Sequence, residues 1–258
     1  MKSPNFIRTF RALPVLLATM ALAGGVARGQ MPGTANTSAM NAAMIKLFGN
    51  NTGFSSRSEF RVLDKSKKET TTAVMNYALL DNKTRMEIDL SQVKSADMPP
   101  ALVPTMKLLG MDQTVVISRP DKKTVLSIFP RAKACVEVAM SKDEAMAAEK
   151  TYAITKTPLG KETVEGHACE KDKVTLTGDK GDKLETTVWY AADLNNFPVK
   201  IEMPAEEGTL VIMTFKDVKL ARPDAKQFEA PAGLTRYTSG EALVEAMTKT
   251  QTNPTAIK

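Results

Sequence analysis

Residues 113–138, QTVVISRPDKKTVLSIFPRAKACVEV, decide the fold. Val115, Val116 and Ile117 run into Arg119-Pro120-Asp121-Lys122, Val125 to Phe129 run into Pro130-Arg131-Ala132-Lys133, and Val136 to Val138 follow. Short β-branched runs, broken where proline fixes φ and cannot donate within a ladder, read as an antiparallel meander of three strands. No residue in the stretch looks catalytic.

The same two-residue period extends on both sides. Phe54, Ser56, Ser58, Phe60 and Val62 share one side of a run, and Ala73, Met75, Tyr77 and Leu79 share one side of the next. Across the turn at Asp81-Asn82-Lys83, Met86, Ile88 and Leu90 alternate with Arg85, Glu87 and Asp89, so the sheet has one apolar face. Further on, 151–157 and the runs around Val174, Leu184 to Trp189, Val199 to Ile201 and Leu210 to Phe215 bring the count to about eleven strands. Residues 38–48 carry helical spacing that ends at Gly49, and 91–112 are a proline-interrupted, methionine-rich helical insert. Ser141 and Glu144 form a capping box before a helix over 141–150, and Thr238 with Glu241 caps a last helix. The fold class is mainly β with a few helices.

The net charge of +6 is uneven. Lys2, Arg8, Arg11 and Arg28 precede residue 30 with no acidic residue among them, and removing those four from 35 basic residues leaves 31 against 29 acidic. No basic stripe for nucleic acid remains. A positive start, an apolar run from Ala12 to Ala23 and Ala27-Arg28-Gly29 read as a signal peptide over 1–29. No cysteine stands near that cleavage site, so the expectation is a soluble periplasmic chain without a lipid anchor. The domain reading is 30–52 linker and short helix, 53–237 one β domain, and 238–258 a C-terminal helix with a polar tail.

Candidates for chemistry are few. His167 is the single histidine, two residues from Cys169, and one histidine with two cysteines is too little for a metal site. In an oxidising compartment two cysteines pair more often than they catalyse, so Cys135–Cys169 is the expected disulfide, with two free thiols as the alternative. No nucleophile elbow or metal motif occurs, no cofactor is expected, and catalytic residues are read as none.

Several motifs resemble one known group. Lys83-x-Arg85-x-Glu87, Arg119-Pro120-Asp121-Lys122-Lys123 leading to Phe129-Pro130, and Leu159-Gly160-x-Glu162-x-Val164-x-Gly166-x-x-Cys169 are similar to the periplasmic LolA-like group. So are Val188-Trp189-x-x-x-Asp193-Leu194-x-x-x-Pro198-Val199-Lys200 and Phe228-Glu229-Ala230-Pro231-Ala232-Gly233, and within that group exported proteins with a domain of unknown function are most similar. The resemblance implies an unclosed antiparallel half-barrel whose helices cover an apolar concave face, and a non-enzymatic carrier of lipid or lipoprotein acyl chains. On that expectation Phe60, Met75, Tyr77, Met86, Ile88, Leu102, Met106, Leu109 and Trp189 are ligand-cavity candidates. The partner is then an acyl chain and the chain a monomer. The insert at 91–112 reads either as a helix plugging one end of the sheet or, because methionine is flexible and polarizable, as a mobile lid over an apolar cavity. The alternative is an envelope sensor or interaction module that engages a protein and carries no lipid.

Overall fold

The computed structural model describes residues 42–149, 151–179, 181–205 and 208–252. The expected signal peptide over 1–29, the linker up to residue 41 and the last six residues of the expected tail lie outside the described residues. Thirteen strands form one sheet: β1 Gly53–Leu63, β2 Glu69–Leu80, β3 Lys83–Asp89, β4 Lys94–Ser95, β5 Gln113–Arg119, β6 Thr124–Phe129, β7 Ala134–Ala139, β8 Tyr152–Val164, β9 His167–Gly178, β10 Lys183–Ala191, β11 Phe197–Pro204, β12 Leu210–Lys219 and β13 Thr235–Tyr237. Among the described residues four helices accompany it: α1 (residues 42–47), α2 Leu102–Leu108, α3 Lys142–Ala148 and α4 Gly240–Thr252.

The strand order is β13-β7-β6-β5-β3-β2-β1-β12-β11-β10-β9-β8, with β4 paired to the start of β2. The sheet curls without closing into a barrel, as the expected half-barrel does. Every ladder is antiparallel except β13 on β7, which is parallel. The two strands beyond the eleven expected are β4 and β13, of two and three residues. Such segments are too short to show a period.

The meander forms as its sequence dictates. Pro120 and Pro130 open the two turns, and Lys123 and Lys133 complete them with φ of 54° and 47°. Between β2 and β3, Asp81 and Asn82 both take positive φ, the two-residue hairpin turn that matches strand twist. The capping box is present: Ser141 N–H donates to Glu144 Oε2 at 2.6 Å and Glu144 N–H to Ser141 Oγ at 3.2 Å. At the last helix the cap is Ser239, whose Oγ accepts from Ala242 N–H, rather than Thr238.

Two cores lie on opposite faces. The larger covers the concave side, where α1, α2 and α4 contribute Met44, Leu47, Leu102, Met106 and Leu243, and the turn after α1 contributes Phe48. Phe48, directly after α1, enters a ring cluster with Phe54, Phe197 and Phe215 at centroid distances of 4.6, 5.5 and 5.4 Å. The smaller core, on the convex side, comprises Ala78, Leu80, Val115, Ile117, Leu126, Ile128 and Cys135 beneath Phe228. Arg119 holds that cover, donating from Nη1 to Phe228 O at 3.1 Å and pairing with Asp121 and Glu229.

At one end of the sheet, β8 is exposed from Ala153 to Thr163, with Leu159 bulged between Pro158 and Gly160.

Candidate ligand site on the concave face

Strand register assigns the concave face residue by residue. One row runs Ser56, Tyr77, Met86, Val116, Ser127, Val136, and the next runs Phe54, Leu79, Thr84, Ser118, Val125, Val138. A third runs Ser58, Met75, Ile88, Thr114. These rows hold no charged residue, whereas the opposite face carries Arg57, Asn76 and Glu87 in register. At the β1 end the rows are closed by the ring cluster. Toward β5–β7 the cover thins: Val116, Ser118 and Val125 are half-buried and Val138 is 43% exposed.

Eight of the nine predicted cavity residues meet in this region. Phe60, Met75, Tyr77, Ile88, Leu102 and Met106 are buried in the larger core, with Met86 and Leu109 packed against it. Trp189 touches the same core, but its ring lies under the ammonium groups of Lys171 and Lys200, at 4.7 and 4.2 Å. Its Nε1–H donates to Glu162 Oε2 at 2.8 Å, so the indole ring and its N–H are already engaged. The residues that cavity reasoning passed over are the small hydroxyls among the apolar positions, Ser56, Ser58 and Thr84. The alternation that places Met86 and Ile88 inward also places Thr84 there.

With Thr114, Ser118, Ser127 and the Tyr77 phenol, those hydroxyls are the polar content of the rows. Ser56 Oγ and Ser58 Oγ share a hydrogen bond of 3.3 Å. Tyr77 OH and Thr84 Oγ1 are buried and find no hydrogen-bond partner among the described residues. Burial drives the Tyr77 phenol far above its usual ionisation range, so it stays a neutral donor.

The cover over this region includes α2. Leu102 and Met106 face the core, and the turn after the helix is fixed by Arg131 Nη1 donating to Asp112 Oδ2 at 2.6 Å. Gly110 has φ of +68°, and a Cβ there would meet Ala132 N at 3.1 Å, so the helix end lies directly against the Phe129–Ala134 turn.

The cysteines overturn one expectation. Both thiols are free: Cys135, on β7, is buried in the convex core, while Cys169, on β9, belongs to the concave one. The two strands stand far apart in the sheet order, with the sheet itself between the two cores. Cys169 Sγ donates to His167 O at 3.3 Å and burial raises its pKa, the reverse of what an activated thiolate needs. His167 Nδ1 pairs instead with Asp193 Oδ2 at 2.7 Å. Among the described residues, no three of His, Cys, Asp and Glu converge as metal ligands. No described helix is long and apolar enough to cross a membrane.

The sequence profile of one family, described as a domain of unknown function (DUF4412), matches residues 64–197, from the end of β1 to the start of β11. The chain belongs to the DUF4412 family. No curated protein matches it. Among solved structures, this DUF4412 protein is similar to a LolA superfamily protein from Nitrosomonas europaea, at 12% identity and a TM-score of 0.35, covering 76% of this chain and 97% of that one. It is also similar to LprF from Mycobacterium bovis, at 14% identity and a TM-score of 0.36 over 76% and 99%. A third is the lipoprotein LppX from Mycobacterium tuberculosis, at 11% identity and a TM-score of 0.35 over 69% and 94%. The group that the sequence motifs resemble is thus met among the structural matches, and at these scores the likeness says nothing of what the chain binds.

Proposed function

We propose that this DUF4412 protein is an exported, non-enzymatic binding protein that holds the acyl chain of a lipid or lipoprotein against the concave face of its half-barrel. One observation carries the reading: on β1–β3 and β5–β7 the rows of this face are free of charge, include methionine, and are tightly covered only at the β1 end. Met75, Met86 and Met106 line it with flexible, polarizable side chains that adapt to an apolar guest. Each methylene moved from water onto such a surface contributes about 0.8 kcal/mol, so a long chain binds without specific contacts. Extraction of the protein purified from the periplasm, followed by mass spectrometry, is expected to return acyl lipids in near-stoichiometric amount. Clean extracts, together with no uptake from lipid vesicles, would refute the carrier.

The convex face favours a second reading, an envelope interaction module. Two adjoining grooves of about 710 and 330 Å³ share Arg57, Asn76, Arg85 and Glu87. Arg57 has no ion-pair partner among the described residues, which leaves a guanidinium for an acidic protein segment. Affinity capture from envelope extract by the parent protein and by Arg57→Glu separates the two readings, because lipid content depends on the other face.

A further inference from the structure

Tyr77 and Thr84 stand on adjacent strands of the apolar face. Register pairs Tyr77 with Met86 and Leu79 with Thr84, so the two hydroxyl residues are diagonal neighbours, about 7–8 Å apart at the backbone and within reach of an aromatic side chain. Both hydroxyls are buried and unpartnered among the described residues. Buried hydroxyls left unpaired cost stability, and a fold keeps few of them without a reason. No cation lies on the same rows of β1–β3 and β5–β7, so a carboxylate brought there would lose its hydration with nothing to offset it.

We infer that the site selects acyl chains joined through an uncharged ester or amide over free fatty acids, with the Tyr77 and Thr84 hydroxyls donating to the linking carbonyl. The inference rests on the acyl-binding reading and adds the chemistry of the chain's attachment. A carbonyl offers two acceptor lone pairs, enough for one hydroxyl from each strand. A bare hydrocarbon offers none. A fatty acid would enter only after taking up a proton.

The test uses the mature protein and three probes: diphenylhexatriene, which has no polar atom, dioleoylglycerol, and oleate at pH 8. The parent should bind dioleoylglycerol at least tenfold more tightly than oleate. Tyr77→Phe and Thr84→Val should each weaken dioleoylglycerol about threefold to tenfold, the worth of one hydrogen bond. Both should leave diphenylhexatriene unchanged, and ligand-free Tyr77→Phe should melt at or above the parent's temperature, since it loses an unpaired hydroxyl. Equal losses for dioleoylglycerol and diphenylhexatriene, no loss for either, or tighter binding of oleate would overturn the inference while leaving the carrier intact. A parent that binds neither neutral probe refutes the carrier itself, and the inference falls with it.

Discussion

Glu87 and Ile88 are adjacent in sequence and face opposite ways. Ile88 is buried among Met75 and its neighbours in the concave core, while Glu87 accepts from Arg85 Nε at 2.9 Å on the other side. Ile88→Asp should therefore cost about 3–5 kcal/mol by burying an unpaired carboxylate. Glu87→Lys should cost about 1 kcal/mol or less, since it alters a pair at the surface. Urea titration of the two variants checks the assignment, and equal midpoints would reverse the register. Alternation made this facing legible from sequence, because the period is a local property. The cysteine pairing was not legible: alternation gives a residue's face within its own strand, not where that strand stands in the sheet. Alkylation should find two thiols in denaturant without reductant, both slow to react in the folded protein because both are buried.

Single contacts fix two covers, one on each face. On the convex side Arg119 is buried and bound to Asp121, Glu229 and Phe228 O. Arg119→Ala should cost about 2–4 kcal/mol and loosen the 225–230 segment. The Arg119 guanidinium, through its hydrogen bonds, holds both carboxyls below their usual range. Their contribution is therefore complete above about pH 4, the unfolded value, and is lost as pH falls through the lower folded values. Thermal melts from pH 7 to 2 should show a shallower acid decline for Arg119→Ala than for the parent. On the concave side, a designed disulfide from α2 to a facing strand should abolish uptake of a fluorescent acyl probe, with reduction restoring it. Undiminished uptake by the pinned protein would make α2 a fixed plug. The insert's helix was legible from Leu102, Met106 and Leu109, and the box at Ser141 and Glu144 from its spacing. The last helix starts a residue later than expected because Thr238 and Ser239 are both competent caps, and only the backbone path chooses between them.

For the molecule as a whole, export predicts a secreted form whose intact mass begins at Gln30. A mass matching the full 258 residues would contradict the signal peptide. The open sheet was legible in outline because its long strands announce themselves by period, whereas the parallel β13 did not, since three residues carry no pattern. The thinning of the concave cover toward β5–β7 depends on how far α1, α2 and α4 reach, which no local pattern encodes. An unclosed sheet also leaves β8 without a partner on its outer edge among the described residues, and along thirteen residues that edge could recruit another chain. Pro158 removes one donor and the Leu159 bulge bends the line of the rest, so the strand is poorly shaped for lateral growth. Its solubility is then guarded by very few residues. Pro158→Thr, with Leu159 deleted to straighten the ladder, should yield a protein that seeds amyloid-like fibres where the parent does not, visible as thioflavin fluorescence after a lag.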